Sequence, residues 1–278
     1  MWIIAPSNAD VARRCIVIVG ALAAAWSAIG KDQSIAAPAA AQDRAACDAG
    51  RFRIAIDVGH TADSPGAKSA HGAMEYTFNL ALAKVIEKTL KDGGFAQAQL
   101  LIVKGAGRAQ LLARVARANA LQLDLLVSIH HDDVQDRYHS RWQHNGQSYT
   151  YSDQFSGYSL FVSQNNKFPA ASLAFAKLLG GELRARGLNY TPSHAEDIPG
   201  ERRQLLEPET GVYRYDQLVV LKDTNAAAVL FEAGMIINRA EELQLASPER
   251  QSLVAGAMLA AVNGFCNAPQ TKSPQQKR

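Results

Sequence analysis

Four side chains in this sequence have the types and positions that metal-assisted hydrolysis needs: His60, Glu75, His130 and Glu232. His60 follows the apolar run Ile54-Ala55-Ile56-Asp57-Val58 and a glycine, His130 closes the run Asp124–His130, and Glu232 terminates the run Ala228–Phe231. Short β-branched runs of this kind read as buried parallel strands, which bring their carboxyl ends to one edge of a sheet. Glu75 opens an amphipathic stretch with Phe78, Leu82, Val85, Ile86 and Leu90 on one face, hence a helix start. The loop before it carries Asp63, Ser64, Pro65, Gly66 and Gly72 and can fold Glu75 back towards His60. Two imidazoles and a carboxylate are the ligands of a catalytic zinc ion with one open position, and a second, free carboxylate completes a hydrolytic site. His60 and Glu75 alone read equally well as a solvated loop histidine and an acid favoured by the helix dipole. Convergence of all four on one edge is the more specific signal.

The elements that must position these residues alternate between strand and helix. Strands are expected at 54–58, 99–103, 124–130, 158–163, 218–221 and 228–231, and helices at 75–90, 108–121, 172–186 and 240–265. This pattern predicts a single α/β domain whose mostly parallel central sheet, of about six strands, carries helices on both faces. Two polar stretches interrupt it, 134–157 and 188–215, and both are expected as long loops beside the site.

Arg13 and Arg14, the apolar run Cys15–Ile29 and the small residues Ala36–Ala41 have the order of a secretory signal, so residues 1–41 are expected to be removed on export to a periplasm or beyond. The domain then spans 42–267, and 268–278 is expected to be a disordered polar tail. No later stretch is long and apolar enough to span a membrane. Losing 1–41 removes Arg13, Arg14, Lys31, Asp10 and Asp32 from 29 basic and 26 acidic residues, leaving a net charge of +2, too mild to argue for nucleic acid. Cys47 and Cys266 survive, and in an exported protein they read as one structural disulfide.

Three segments, in order, resemble the zinc-dependent N-acetylmuramoyl-L-alanine amidases. Asp57, Gly59, His60, Asp63, Pro65, Gly66, Ala67 and Glu75 match that family's opening D-P-G-H-G-G-x-D-P-G-A motif and its Glu. Ser128, Ile129 and His130 match its S-I-H-A-N segment, and Val229, Leu230, Glu232, Gly234, Asn238 and Glu241 match its closing block. The resemblance implies Zn2+ held by His60, Glu75 and His130, with Glu232 as the base, cutting the bond between N-acetylmuramic acid and L-alanine in peptidoglycan or muropeptides. A protein activator is left open.

The sequence also departs from the family. Val58 replaces its Pro, Thr61-Ala62 its Gly-Gly, His131-Asp132 its Ala-Asn, and Thr210 its Arg. Side chains alternate along a strand, so only one of His130 and His131 can face the site, and the motif register favours His130. His131 is expected in the pocket wall, in contact with substrate, or behind the ligands as their support, and Asp132, His194 and Arg214 are expected to line the pocket or contact substrate, His194 with Glu196, Tyr213 and Arg214 at a groove. His71, His139 and His144 are expected to be solvated, and Arg202 and Arg203 to be surface charges. The same ligand set would serve a zinc carboxypeptidase-like peptidase given an arginine placed for a terminal carboxylate. A wall-binding or regulatory relative with a vestigial site is the non-enzymatic alternative, and the intact set of four argues against it.

Overall fold

β1 (Ile54–Val58) is buried at all five positions, as its unbroken apolar run requires of an interior strand. This computed structural model describes residues 47–268, so the expected signal segment and the polar tail from 269 lie outside the described residues. α1 (Glu75–Asp92), β2 (Ala98–Leu101), α2 (Gly107–Ala120) and β3 (Leu125–Asp132) follow. Then come β4 (Ser140–His144), β5 (Gln147–Tyr151), β6 (Ser159–Val162), α3 (Pro169–Ala185), β7 (Leu205–Glu207) and β8 (Val212–Arg214). α4 (Val219–Asp223), β9 (Ala227–Met235), α5 (Arg239–Leu245) and α6 (Pro248–Asn267) complete the order. Among the described residues no helix is long and apolar enough to cross a membrane.

The main sheet has seven strands in the order β2-β1-β3-β9-β6-β8-β7. It is parallel from β2 to β9 and between β6 and β8, and antiparallel between β9 and β6 and between β8 and β7. The chain leaves β1 for β2 and then crosses back over β1 to β3. Right-handed crossovers therefore put α1 and α2 on opposite faces. Packing agrees: Ile54, Ile56 and Val58 belong to the same buried cluster as Leu82, Phe175 and Val262 of α1, α3 and α6, while Ala55 belongs to a second cluster with Ala118 of α2 and Leu221 of α4. The direction of strand addition reverses between β1 and β3, and open α/β sheets bind ligands beyond the carboxyl ends of the strands at such a point.

Several expectations need correction. Residues 218–221 are not a strand: Val219–Asp223 form α4, with Lys222 N–H donating to Leu218 O at 2.8 Å. A four-residue apolar run fits a buried turn of helix as well as a strand. The polar stretch 188–215 supplies two short strands, β7 and β8, which bring the sheet to seven instead of six. Stretch 134–157 holds an antiparallel hairpin, β4–β5, turning at Asn145-Gly146 with both φ positive (49° and 75°). Glu232 does not end its strand, since β9 runs on to Met235. The last helix is broken at Ser247-Pro248, where the Ser247 hydroxyl accepts from Arg250 N–H at 3.2 Å and Pro248 starts α6. Cys47 and Cys266 form the expected disulfide, Cα to Cα 5.4 Å.

Candidate metal centre

Beyond Val58 the ladder continues for one more bond, Gly59 N–H to Ile129 O at 2.9 Å, and His60 then turns out of the sheet with φ +63°. The loop returns along the start of α1: Glu75 N–H donates to Ala67 O and Tyr76 N–H to Pro65 O, both at 2.9 Å. Ala67 N–H in turn donates to Glu75 Oε2 at 3.1 Å, which aims the carboxylate at the sheet edge. There His60 Nε2 lies 2.8 Å from Glu75 Oε2, and His130 Nδ1 lies 3.0 Å from Glu75 Oε1. One ligand atom from each of the three residues falls within 4.8 Å of the others. Burial works to raise the Glu75 carboxyl, but hydrogen bonds and charge from His130 and His60 outweigh it and hold the group well below the ordinary carboxylate range.

These residues fit a metal. Ligands at about 2.0–2.1 Å in a tetrahedron stand roughly 3.3 Å apart, close to the separations found here. The space is kept by glycines: a Cβ on Gly59 would overlap the His130 imidazole, and one on Gly66 would overlap Glu75 Oε2. Two imidazole nitrogens and one carboxylate oxygen are donors that a divalent transition-metal ion accepts.

Glu232 sits beside this set. It is the register partner of His130 across β3 and β9, and its Oε2 is sealed from solvent without a hydrogen-bond partner. Burial, then the charges of Asp132 and Glu75, push its carboxyl well above the usual range. An unpaired buried carboxylate oxygen at the edge that holds the ligands is placed to take or give a proton.

The other expected site residues divide. His131 points into the core, 2% exposed, against Phe78 of α1. Its Nδ1 is 2.7 Å from Asn79 Oδ1, and burial drives its pKa down to about 3, so the ring is neutral and donates. Of the places expected for it, it takes the one behind Glu75, whose Oε1 accepts from His131 N–H at 3.3 Å. Asp132 and His194 do come together, Oδ2 to Nε2 at 2.8 Å, and Glu201 Oε2 lies 3.2 Å from His194 Nδ1. Burial alone would discharge His194, yet hydrogen bonds to Asp132 and Glu201 lift its pKa to about 9. Arg214 is far from the edge: it pairs with Val162, three residues along the β6 ladder from the partner of Glu232, and its guanidinium is bound to Asp216 at 2.5 Å.

His71 and His139 are half-buried, not solvated, and bind Glu242 and Asp133 at 2.6 and 2.8 Å. His144 is half-buried too, stacked on Trp142 with ring centroids 5.1 Å apart. Arg202 is exposed, as expected, whereas Arg203 is half-buried with its guanidinium 3.9 Å above the Tyr215 ring.

Residues that the sequence reading passed over tie the centre together. Asn79, one turn after Glu75, donates from Nδ2 to Glu75 Oε1 at 3.1 Å and to Gly59 O at 3.2 Å. Arg114 of α2, 2% exposed, binds Asp57, whose second oxygen accepts from Ser128 Oγ at 2.6 Å. A carboxylate in the middle of a buried strand must find a partner, and that was the available signal.

Comparison with known proteins follows this geometry. The family model described as N-acetylmuramoyl-L-alanine amidase matches residues 54–264. At 24% identity over 223 residues, 76% of this chain and 95% of the relative, the sequence is similar to the "Putative N-acetylmuramoyl-L-alanine amidase" of Buchnera aphidicola subsp. Baizongia pistaciae (strain Bp). The fold is similar to that of the amidase Ami1 from Mycobacterium smegmatis, with a TM-score of 0.59 and 18% identity over 79% of this chain and 98% of that one. It is also similar to the catalytic domain of the amidase CwlV from Bacillus (Paenibacillus) polymyxa var. colistinus, with a TM-score of 0.56 and 24% identity over 78% and 99%.

Proposed function

The chain belongs to the N-acetylmuramoyl-L-alanine amidase family, and from that premise we propose that it is a zinc hydrolase of exported peptidoglycan metabolism with His60, Glu75 and His130 as ligands and Glu232 as general base. Membership gives the enzyme class, amide hydrolysis of peptidoglycan. The observation that carries the finer reading is the meeting of three ligand atoms within 4.8 Å beside an unpaired buried carboxylate oxygen.

When bound, a zinc ion in such a three-ligand site supplies Lewis acidity, polarising the scissile carbonyl and acidifying the attacking water. This chain's own residues do the rest. Glu75, held by Asn79 and Ala67, keeps its charge and so its affinity for a cation. Glu232 takes the proton of the attacking water and passes it to the leaving amine nitrogen of L-alanine. Its carboxyl is raised by burial and by two neighbouring acids, which poises it for both halves of that transfer. Asp132, whose charge acts on Glu232, is itself paired with His194. Arg114, whose guanidinium reaches the His60 backbone, is spent on Asp57 and main-chain carbonyls, so it is not the free arginine that a carboxypeptidase-like reading requires.

The expected signal at 1–41, the 42–267 catalytic boundary and a periplasmic location are part of this proposal, supported by the disulfide, which belongs to an oxidising compartment. The test is digestion of purified peptidoglycan and of muropeptides by zinc-loaded protein, with products read by mass spectrometry. Free stem peptides beginning with L-alanine are expected. Products cut only inside the stem would replace the amidase reading with a peptidase one.

A further inference from the structure

Three successive carbonyls at the end of β1 are each taken by a buried side chain. Val58 O accepts from Arg114 Nη1 at 2.6 Å, Gly59 O from Asn79 Nδ2 at 3.2 Å, and His60 O from Arg114 Nη2 at 2.8 Å. Asn79 reaches in from α1 on one face of the sheet and Arg114 from α2 on the other. The residue so clamped, His60, has φ +63°, a left-handed backbone that a side chain other than glycine rarely adopts. Such a conformation persists only where its surroundings over-determine it.

We infer that Arg114 is a positioning residue for the amidase: it fixes the left-handed turn at His60 and thereby the direction in which that imidazole enters the metal centre. The guanidinium is itself held on all sides, by the Asp57 carboxylate, by Gln110 Oε1 at 3.2 Å and through Asp57 by Ser128. Its two terminal nitrogens serve four acceptors, Asp57 and Val58 O from Nη1 and His60 O and Gln110 Oε1 from Nη2, more than the three N–H donors of one lysine ammonium can serve from a single point. The loop beyond His60 is tied to the segment leading into α2 as well, through Thr61 Oγ1 to Gly105 O at 2.6 Å and Gly105 N–H to Asp63 Oδ2 at 2.8 Å. The opening of α2 and Arg114 thus form one rigid support for the ligand-bearing turn.

This inference rests on the metal reading of His60, and the wild-type protein tests that reading by itself. Zinc affinity is measured by chelator competition, and the cobalt(II)-loaded absorption spectrum is recorded, on wild type, Arg114→Lys, Ser128→Ala and Val262→Ala. Arg114→Lys should bind zinc about 10- to 100-fold more weakly, the usual cost of removing a group that orients a ligand, with an altered cobalt spectrum. Ser128→Ala, which frees one Asp57 oxygen, should show a smaller loss in the same direction. Val262→Ala, on the buried face of α6 and in the core, should lower the melting temperature and leave zinc affinity at the wild-type value. If Arg114→Lys binds zinc like wild type, the inference is wrong. Should Arg114→Lys fail to fold, Ser128→Ala decides, and unchanged affinity there also overturns it. A wild-type protein that takes up no zinc removes the metal reading and this inference together.

Discussion

His130 and Glu232 stand opposite each other as register partners on adjacent parallel strands, β3 and β9. Both strands are central and anchored on both faces, so the two side chains keep their separation without help from loops. One turns to Glu75 and the other keeps a free oxygen. Glu232→Gln should therefore retain fold and zinc while losing turnover by ~10²–10⁴-fold, the usual contribution of a general acid–base group. Stem-peptide release and zinc content measured on the same samples check this. Near wild-type turnover would move the role to another group, with Asp132 the next to test.

Glu75 differs because its carboxylate is enclosed by both imidazoles. Glu75→Ala should lose stoichiometric zinc and activity together, and a strong chelator should produce the same inactive state in wild type, reversed by added zinc. Inductively coupled plasma analysis of protein purified without chelator provides the comparison. Full zinc occupancy in Glu75→Ala would exclude it as a ligand.

How far the sequence revealed this arrangement depends on the strength of each local signal. The strands that lead to His60, His130 and Glu232 were legible because central parallel strands are continuous apolar runs, but the ends of β3 and β9 were placed too early, at His130 and Glu232 instead of Asp132 and Met235. The β4–β5 hairpin carried its own sign, Asn145-Gly146, but Trp142, Tyr149 and Tyr151 among polar neighbours gave too faint an alternation. Arg114 was passed over although it lies on the same stripe as Leu111, Val115 and Ala118, because its charge hid it among the expected core positions. β7 and β8 were not legible, because runs of three residues are too short to show an alternation.

The His194 pair sets a pH dependence with a definite sign. Its folded pKa of about 9 lies above the ordinary 6.5 because Asp132 and Glu201 outweigh burial. A raised folded pKa means the stabilisation is fully present below about 6.5 and fades as pH rises through about 9. His194→Gln keeps a donor but cannot carry charge. The melting-temperature gap between wild type and this variant should be largest near pH 6 and shrink towards pH 9.5. A gap independent of pH across that range would mean that folding does not raise the His194 pKa.

The Cys47–Cys266 bridge joins residues 219 apart, from just before β1 to the end of α6. A loop of that length gives up to about 5 kcal/mol in the chain-entropy model, and measured values are often smaller. Denaturant unfolding of the oxidised protein and of Cys47→Ala/Cys266→Ala should differ by a few kcal/mol in favour of the oxidised form. Peptide mapping without reductant should recover the linked pair from periplasm-derived protein, and two free thiols there would remove the bridge.

Two glycines separate steric exclusion from backbone freedom. Gly59 has no positive φ, so alanine is admissible to its backbone, but the added Cβ would occupy the place of the His130 ring. Gly187 is the reverse: its φ is +83° at the end of α3, and a Cβ there meets nothing within 4 Å. Gly187→Ala should cost about 1–2 kcal/mol of stability, the strain of a left-handed alanine, and leave zinc binding untouched. Gly59→Ala should instead displace the imidazole, because the ring cannot share its position and the flanking strands cannot spread without breaking the β1–β3 ladder. Zinc affinity in Gly59→Ala should fall by at least an order of magnitude, out of proportion to any change in melting temperature. If the two variants lost stability alike and bound zinc alike, the close approach of β1 to His130 would have no part in shaping the metal centre.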